Sequence, residues 1–349
     1  MMTPISTLAS SKQLERYITE TANSLNDLTT QISTEKKIDL YRTSTDDIAR
    51  IFSLARDFGN TQTDAFNLSV LKSKSMVASQ SLEAYEKEVD AFAIDFRAAL
   101  DRSDQSTLSV MLDSAHHLRS LLHETLNRQH LGEHVFAGQA TDAKPIAAQG
   151  EVDALFEDLA ATTNVLLPGA TQADVDAFLT AVDESFNDVR ALPAENFTGR
   201  VYLGSTAPED VVKYRDGSGV ESPALARADE GSFRQLIMAD GLLAFVNEHA
   251  DVLSAHNQRQ ILSRAAASME TGVASLRTRT NDQGIVVASL SRSDEQTSSD
   301  LLELEKLLGE RLNADINQLS VQLTSADTHL KIVFQVTSRL NALGFENFI

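Results

Sequence analysis

The chain of 349 residues contains no cysteine and no tryptophan. Without cysteine there can be no disulfide, no thiol nucleophile, no Cys-ligated zinc and no iron–sulfur cluster. Aromatic residues make up only 6% of the chain, too few to line a stacked ligand pocket generously. No stretch approaches the roughly 18 consecutive apolar residues that span a bilayer. The opening MMTPISTLASSK has no apolar run of the kind a secretory leader needs, so no cleavable signal peptide is expected. Basic side chains are scarce as well. Lys and Arg number 30 against 50 Asp and Glu, giving a formal charge of −20. Nucleic-acid binding draws its affinity from clustered Lys and Arg, so that class of partner is not expected.

Proline is also scarce, and its placement divides the chain. All six prolines lie at position 4 or between 145 and 223, leaving 5–144 and 224–349 free of it. A proline inside a helix costs about 3 kcal/mol, so the two free stretches can form long helices. Ten of the fifteen glycines fall between Gly132 and Gly241, and the acidic excess concentrates there too. The net charge is −5 over 1–144, −11 over 145–240 and −4 over 241–349. Helical flanks around an acidic insert are the expected plan.

What the flanks do contain is periodicity. Leu312, Ile316, Leu319, Leu323, Ala326, Leu330 and Val333 are spaced 4, 3, 4, 3, 4, 3. This is a heptad seam, the pattern with which one helix packs along another. Leu301, Leu304 and Leu308 extend it upstream. At about 1.5 Å per residue, one helix over 290–340 would be about 75 Å long. At the other end Leu14, Ile18, Leu25, Leu28 and Ile32 form a matching stripe, with Ala22 filling its gap. Leu108, Met111, Ala115, Leu118 and Leu122 make a third, opened by Asp104 as an N-cap. Two seams at opposite ends of a chain must pack on each other or on another chain.

The fold expected is mainly α: a rod-like helical bundle or coiled coil built from both termini, with a small β-containing insert. Terminal assembly helices are expected at 1–40 and 310–349, a helical rod domain at 41–146 and 236–309, and the acidic insert at 147–235. Within the insert EVDALFEDLA and TQADVDAFLTAVDESFNDVRAL read as short helices. FTGRVYLGS and DVVKYRDGSGVES alternate apolar and polar residues and predict a β-hairpin near 197–225, turning at DGSG.

Candidate chemistry is sparse. His116, His117, His123, His130 and His134 cluster, and His130 and His134 stand four apart. The HExxH zinc pattern fails after His123-Glu124, and Gly132 interrupts the i,i+4 pair, so no metal site is expected. DGSG lacks both phosphate-loop and calcium-loop spacing. Asn196-Phe197-Thr198 matches a glycosylation acceptor, a pattern common by chance. Asp46-Asp47 and Glu157-Asp158 lack an evident partner for acid–base work. No catalytic, cofactor-binding or metal-ligating residue is assigned, no cofactor is expected and the chain does not read as an enzyme. The seams remain, serving either an internal bundle or packing between subunits.

Both ends of the chain resemble the flagellin family. LNDLTTQISTEKKIDLYRTSTDDIARIFSLARDF is similar to the family's amino-terminal pattern of a helix, a turn of small and basic residues (Ser33 to Ile38) and an Asp pair (Asp46, Asp47) opening the next helix. LNADINQLSVQLTSADTHLKIVFQVTSRLNALGFENFI resembles its carboxy-terminal helix, with Asp315 near the start. Within the family, NRQHLGEHVFAGQATDAKPI resembles a segment of the hook–filament junction branch. The matching positions are Gly132, Val135, Phe136, Gly138, Thr141, Asp142 and Pro145, and the LGFENFI tail is similar too. Glu35 stands where the family's first turn usually has glycine, and Ile48 where the junction branch often has proline.

The resemblance implies a structural subunit of the bacterial flagellum joining hook to filament, extracellular and exported through the flagellar type III channel without a cleaved leader. Its partners would be further copies of itself in a ring-like layer, a neighbouring hook-associated protein, flagellin, and an export chaperone. The assembly interface would fall on Leu14, Ile18, Leu25, Leu28, Ile32, Leu312, Ile316, Leu319, Leu323, Leu330 and Val333. Roughly the first and last 35 residues are then expected to be mobile in the free protein. A filament flagellin and, from another class, a non-flagellar coiled-coil adaptor stay open as alternatives.

Overall fold

The computed structural model describes residues 4–36, 45–102, 105–215, 221–313 and 315–345. In chain order the helices are α1 (Pro4–Thr34), α2 (Thr45–Arg102), α3 (Gln105–Leu126), α4 (Gln149–Thr163), α5 (Gln172–Phe186), the single turn α6 (Phe197–Arg200), α7 (Gly231–Glu248), α8 (Ala255–Leu312) and α9 (Ile316–Phe345). Two short antiparallel pairs complete the described fold: β1 (Gln129–His130) with β2 (Glu133–His134), and β3 (Lys213–Arg215) with β4 (Glu221–Pro223). The described fold is mainly α with a small β part, as expected, and the proline-free stretches hold the long helices. Residues divide into two compact units, 1–64 with 297–349, and 65–296.

In the first unit α1 packs against α9. Tyr17, Thr21, Ser24 and Leu28 of α1 line one groove with Gln322, Ala326 and His329 of α9, and Gln31 lines another with Gln318 and Leu319. Positions that rise along α1 fall along α9, so the pair is antiparallel. The expected single helix over 290–340 is not formed. Its seam is interrupted between Leu312 and Ile316, where Asn313 instead bridges to Lys36. The cause is Asp315, whose carboxylate accepts hydrogen bonds from the backbone N–H groups of Asn317 (3.0 Å) and Gln318 (3.1 Å). An acceptor so placed starts a new helix in preference to continuing the old one. The N-cap expected at Asp104 lies outside the described residues.

At the other end of the pair α1 stops at Thr34 because Glu35 turns into the left-handed region, with φ of 57°. This closes the helix by an αL cap, in the position where the related pattern carries glycine. Residues 37–44, the rest of that turn, lie outside the described residues.

The second unit is built around α7. This helix packs against α3, α4 and α5, and is buried over most of its length. Phe156 of α4 touches Phe178 and Phe186 of α5 (ring centroids 6.4 and 5.8 Å apart), Phe178 stacks on Phe245 of α7 (4.7 Å), and Phe186 meets Phe197 (5.5 Å). Gly241 lets α4 approach α7: a Cβ there would lie 2.2 Å from the Phe156 ring. A capping box starts α5, with Asp174 N–H bound to the Thr171 hydroxyl and Thr171 N–H to the Asp174 carboxylate. The Thr171 hydroxyl and the Thr171 N–H both donate to the Asp174 carboxylate, each at 2.7 Å, and hold that carboxyl below its ordinary value.

The hairpin expected near 197–225 is present only in its second half, where Tyr214 pairs with Ser222. Its turn, DGSG, lies outside the described residues. FTGRVYLGS does not form a strand: Phe197–Arg200 close a helical turn, and Tyr202 makes one bridge, to Ile146. Alternation failed here because Phe197, Val201 and Tyr202 all turn into the core, and Tyr202 keeps its hydroxyl satisfied by donating to Ser205 O at 2.9 Å.

Candidate assembly interface

The eleven seam positions fall on three helices. Leu14 lies in α1 and Ile316 opens α9, but their side chains are outside the described residues. Ile18, Leu25 and Ile32 of α1 are half-buried, as are Leu323, Leu330 and Val333 of α9 and Leu312 at the end of α8. Among the described seam side chains only Leu28 and Leu319 are buried, each 8% exposed. The two seams therefore meet within one chain, yet the pair they form is thin. A two-helix pair leaves the outward face of each helix without cover.

That outward face is less polar than its letters. On α9 it carries Val321, Thr324, Thr328 and Ile332, spaced 3, 4, 4, and Val321 is 71% exposed. Thr324 Oγ1 donates to Ser320 O (2.8 Å) and Thr328 Oγ1 to Thr324 O (2.7 Å). On α1, Thr29 and Thr30 bind the carbonyls of Leu25 and Asn26 in the same way, and Thr21, which lines the groove toward α9, binds Tyr17 O. A threonine bonded back to its own helix turns its hydroxyl toward the backbone and can leave its methyl to the surroundings. Tyr17, Ile332 and Phe334 are exposed on the same helices.

The histidines are occupied elsewhere. His130 and His134 sit on β1 and β2, joined through Leu131 and Gly132 at positive φ, and not on a helix. His130 Nε2 lies 2.8 Å from Ser73 Oγ. His134 is buried, with Nδ1 2.9 Å from the Asn127 carbonyl and Nε2 2.9 Å from the Gln129 amide nitrogen. The carbonyl fixes the tautomer: Nδ1 donates and Nε2 accepts. His123 Nε2 donates to Ala147 O at 2.8 Å.

Asn196 is equally committed. Its side chain accepts from Arg190 N–H (3.0 Å) and donates to Arg190 O (2.9 Å), while Thr198 bonds to Asp188, so the glycosylation-like triplet is a structural corner. Asp188 is held below the ordinary carboxylate range. Burial pushes it up, but hydrogen bonds from Thr198 and the Arg234 guanidinium at 2.6 Å outweigh burial. Of the acidic pairs, Asp158 binds Arg200 at 2.5 Å and Glu157 binds His249; the side chains of Asp46 and Asp47 are outside the described residues.

The Gly132–Pro145 segment has a structural explanation. Phe136 is fully buried edge-to-face on Phe233, and its carbonyl accepts from Ala228 N–H at 2.9 Å. Gly138 has φ of 68°, and a Cβ there would lie 2.9 Å from Asp210 O, so the position admits only glycine. Pro145 O accepts from Leu203 N–H at 2.8 Å.

The chain matches no protein-family model and no curated protein. Among solved structures it is similar to the crystal structure of Bacillus cereus FlgL, with 11% identity and a TM-score of 0.48, over 74% of this chain and 99% of that one. No helix among the described residues is long and apolar enough to cross a membrane.

Proposed function

We propose that this protein is a structural subunit of the bacterial flagellum, acting as a hook–filament junction protein that assembles through its terminal helices. The observation that carries this reading is the α1–α9 pair. Helices from the two ends of the chain are joined by seams that, among the described side chains, bury only Leu28 and Leu319, while α9 leaves Val321 and Ile332 uncovered. The likeness of both chain ends to the flagellin family's terminal segments, and of residues 127–146 to the junction branch, supports the same reading.

In this reading residues 1–40 and 310–349 are the assembly helices, 41–146 and 236–309 the helical domain, and 147–235 an acidic module kept in solvent. The seam residues hold the pair together, and packing against neighbours covers the opposite face. The partners are other copies of this chain in a ring-like layer, a neighbouring hook-associated protein, flagellin, and a chaperone that holds the chain before export. Freedom from disulfides suits a chain that leaves the cell unfolded through a narrow channel.

The test is electron microscopy of the purified protein after salting-out onto broken filament seeds. A junction subunit stays monomeric or adds one bounded layer. Long filaments would transfer the chain to the filament flagellins.

A further inference from the structure

Two carboxylates and an imidazole converge where α4 meets the end of α7. Glu157 of α4, Glu248 at the last position of α7 and the adjoining His249 present donor atoms that all lie within 4.8 Å of one another. Among the described residues, His249 is the histidine paired with a carboxylate: its Nε2 stands 2.6 Å from Glu157 Oε1. The others with ring partners face a hydroxyl, amides or backbone carbonyls.

The imidazole is well fixed. Its ring packs on Phe245 at 4.8 Å, and its backbone N–H closes α7 on the Phe245 carbonyl at 3.1 Å. Charge is not balanced there. Among the described residues no Lys or Arg pairs with Glu157 or Glu248. When His249 is neutral, two negative charges face each other at the negative end of the α7 dipole.

We propose that Glu157, Glu248 and His249 bind a divalent transition-metal ion, with Zn2+ the representative of its class. Mixed nitrogen and oxygen donors favour such an ion over Mg2+ or Ca2+, which select oxygen alone. The ion sits about 2.0–2.2 Å from its donors, a distance the exposed Glu248 side chain reaches by rotation. Binding requires a free lone pair on Nε2, so the hydrogen shared with Glu157 is released or carried on Nδ1. Water completes the shell. The ion would tie α4 to the end of α7 and neutralise the carboxylates, a clamp on the second unit independent of assembly.

The experiment is calorimetric titration of the EDTA-treated full chain with Zn2+, alongside its thermal unfolding. One ion per chain and a raised unfolding midpoint are expected. Glu248→Gln, at an exposed position, should weaken binding at least tenfold, and His249→Gln should abolish it. Absence of saturable binding overturns the proposal, as does unchanged affinity in Glu248→Gln, which would leave the ion on other histidines. Equal affinity for Mg2+ would overturn the role given to the imidazole. If His249→Gln fails to fold, Glu248→Gln alone decides.

Discussion

The Asp240 carboxylate lies 3.6 Å from Nε of Arg119, and the same guanidinium binds Asp153 through its other side. All three side chains belong to the packing of α3, α4 and α7, and Asp240 lines a small cavity of about 20 Å3 beside Arg119, His123 and Gln149. That is room for a single water. Burial pushes Asp240 up to about 8, further than Arg119 pulls it down, and Asp153 adds repulsion.

Asp240 therefore binds its proton in the folded state across a range where the unfolded chain has lost it. Its contribution to stability is complete below about pH 4, the ordinary Asp value, and is lost as pH rises through about 8. Asp240→Asn removes that slope. Urea unfolding from pH 4 to pH 9 should show the variant gaining on the natural protein as pH rises. A constant difference across that range would show that Asp240 does not titrate in this way.

Glu35 holds a left-handed conformation that costs an L-residue about 1 kcal/mol and glycine almost nothing. Glu35→Gly should thus stabilise the α1–α9 pair by a few tenths to about 1 kcal/mol, since the unfolded chain also gains freedom. Amide exchange of α1 and α9 is the measurement, with slower exchange expected. Faster exchange would mean that the Glu35 side chain contributes more than its backbone costs.

The seam and the outward face should respond differently to the same charge. Leu319→Asp places a carboxylate at a buried position and should separate α1 from α9, abolishing assembly while the 65–296 unit keeps its unfolding midpoint. Val321→Asp, two residues away and exposed, should leave the helicity of the free chain unchanged and still block incorporation into flagella. Circular dichroism together with incorporation assays separates the two. Normal incorporation of Val321→Asp would remove the outward face from the interface.

Gly241→Ala forces a methyl carbon to within 2.2 Å of the Phe156 ring unless α4 moves. Overpacking of this kind costs about 2 kcal/mol. Chemical denaturation followed by tyrosine fluorescence measures it, there being no tryptophan. A companion Phe156→Leu should recover part of the loss, and failure to do so would point to strain in α7 itself.

The terminal helices should also be the least protected part of the free protein. Their pair buries two of its described seam residues, whereas α7 buries most of its length. Limited proteolysis of the monomer should trim roughly the first and last 35 residues before cutting 65–296. Persistence of the ends under those conditions would argue for a pair stable without neighbours.

Much of this was legible in the residue order. Proline placement marked where helices could run, and heptad spacing marked eleven seam positions without telling Leu28 and Leu319, the two that are buried, from the rest. Local chemistry of that kind needs only a few neighbouring residues, and periodicity exposes it. Three things needed the folded chain. The break at Asn313–Asp315 was hidden because a continuing seam and a side-chain cap compete, and Asp315 prevails by reaching two free backbone donors. Phe197, Val201 and Tyr202 read as an alternating strand, yet all three are buried and Phe197 packs on Phe186 of α5, since burial against residues far away in the chain outweighs strand preference. Glu157 and His249 are 92 positions apart, and no spacing rule joins them. The sequence alone determined where long helices could run and which stripes along them are apolar, because both follow from short-range order. Only the tertiary structure decided which faces meet, because that depends on contacts between residues far apart in the chain.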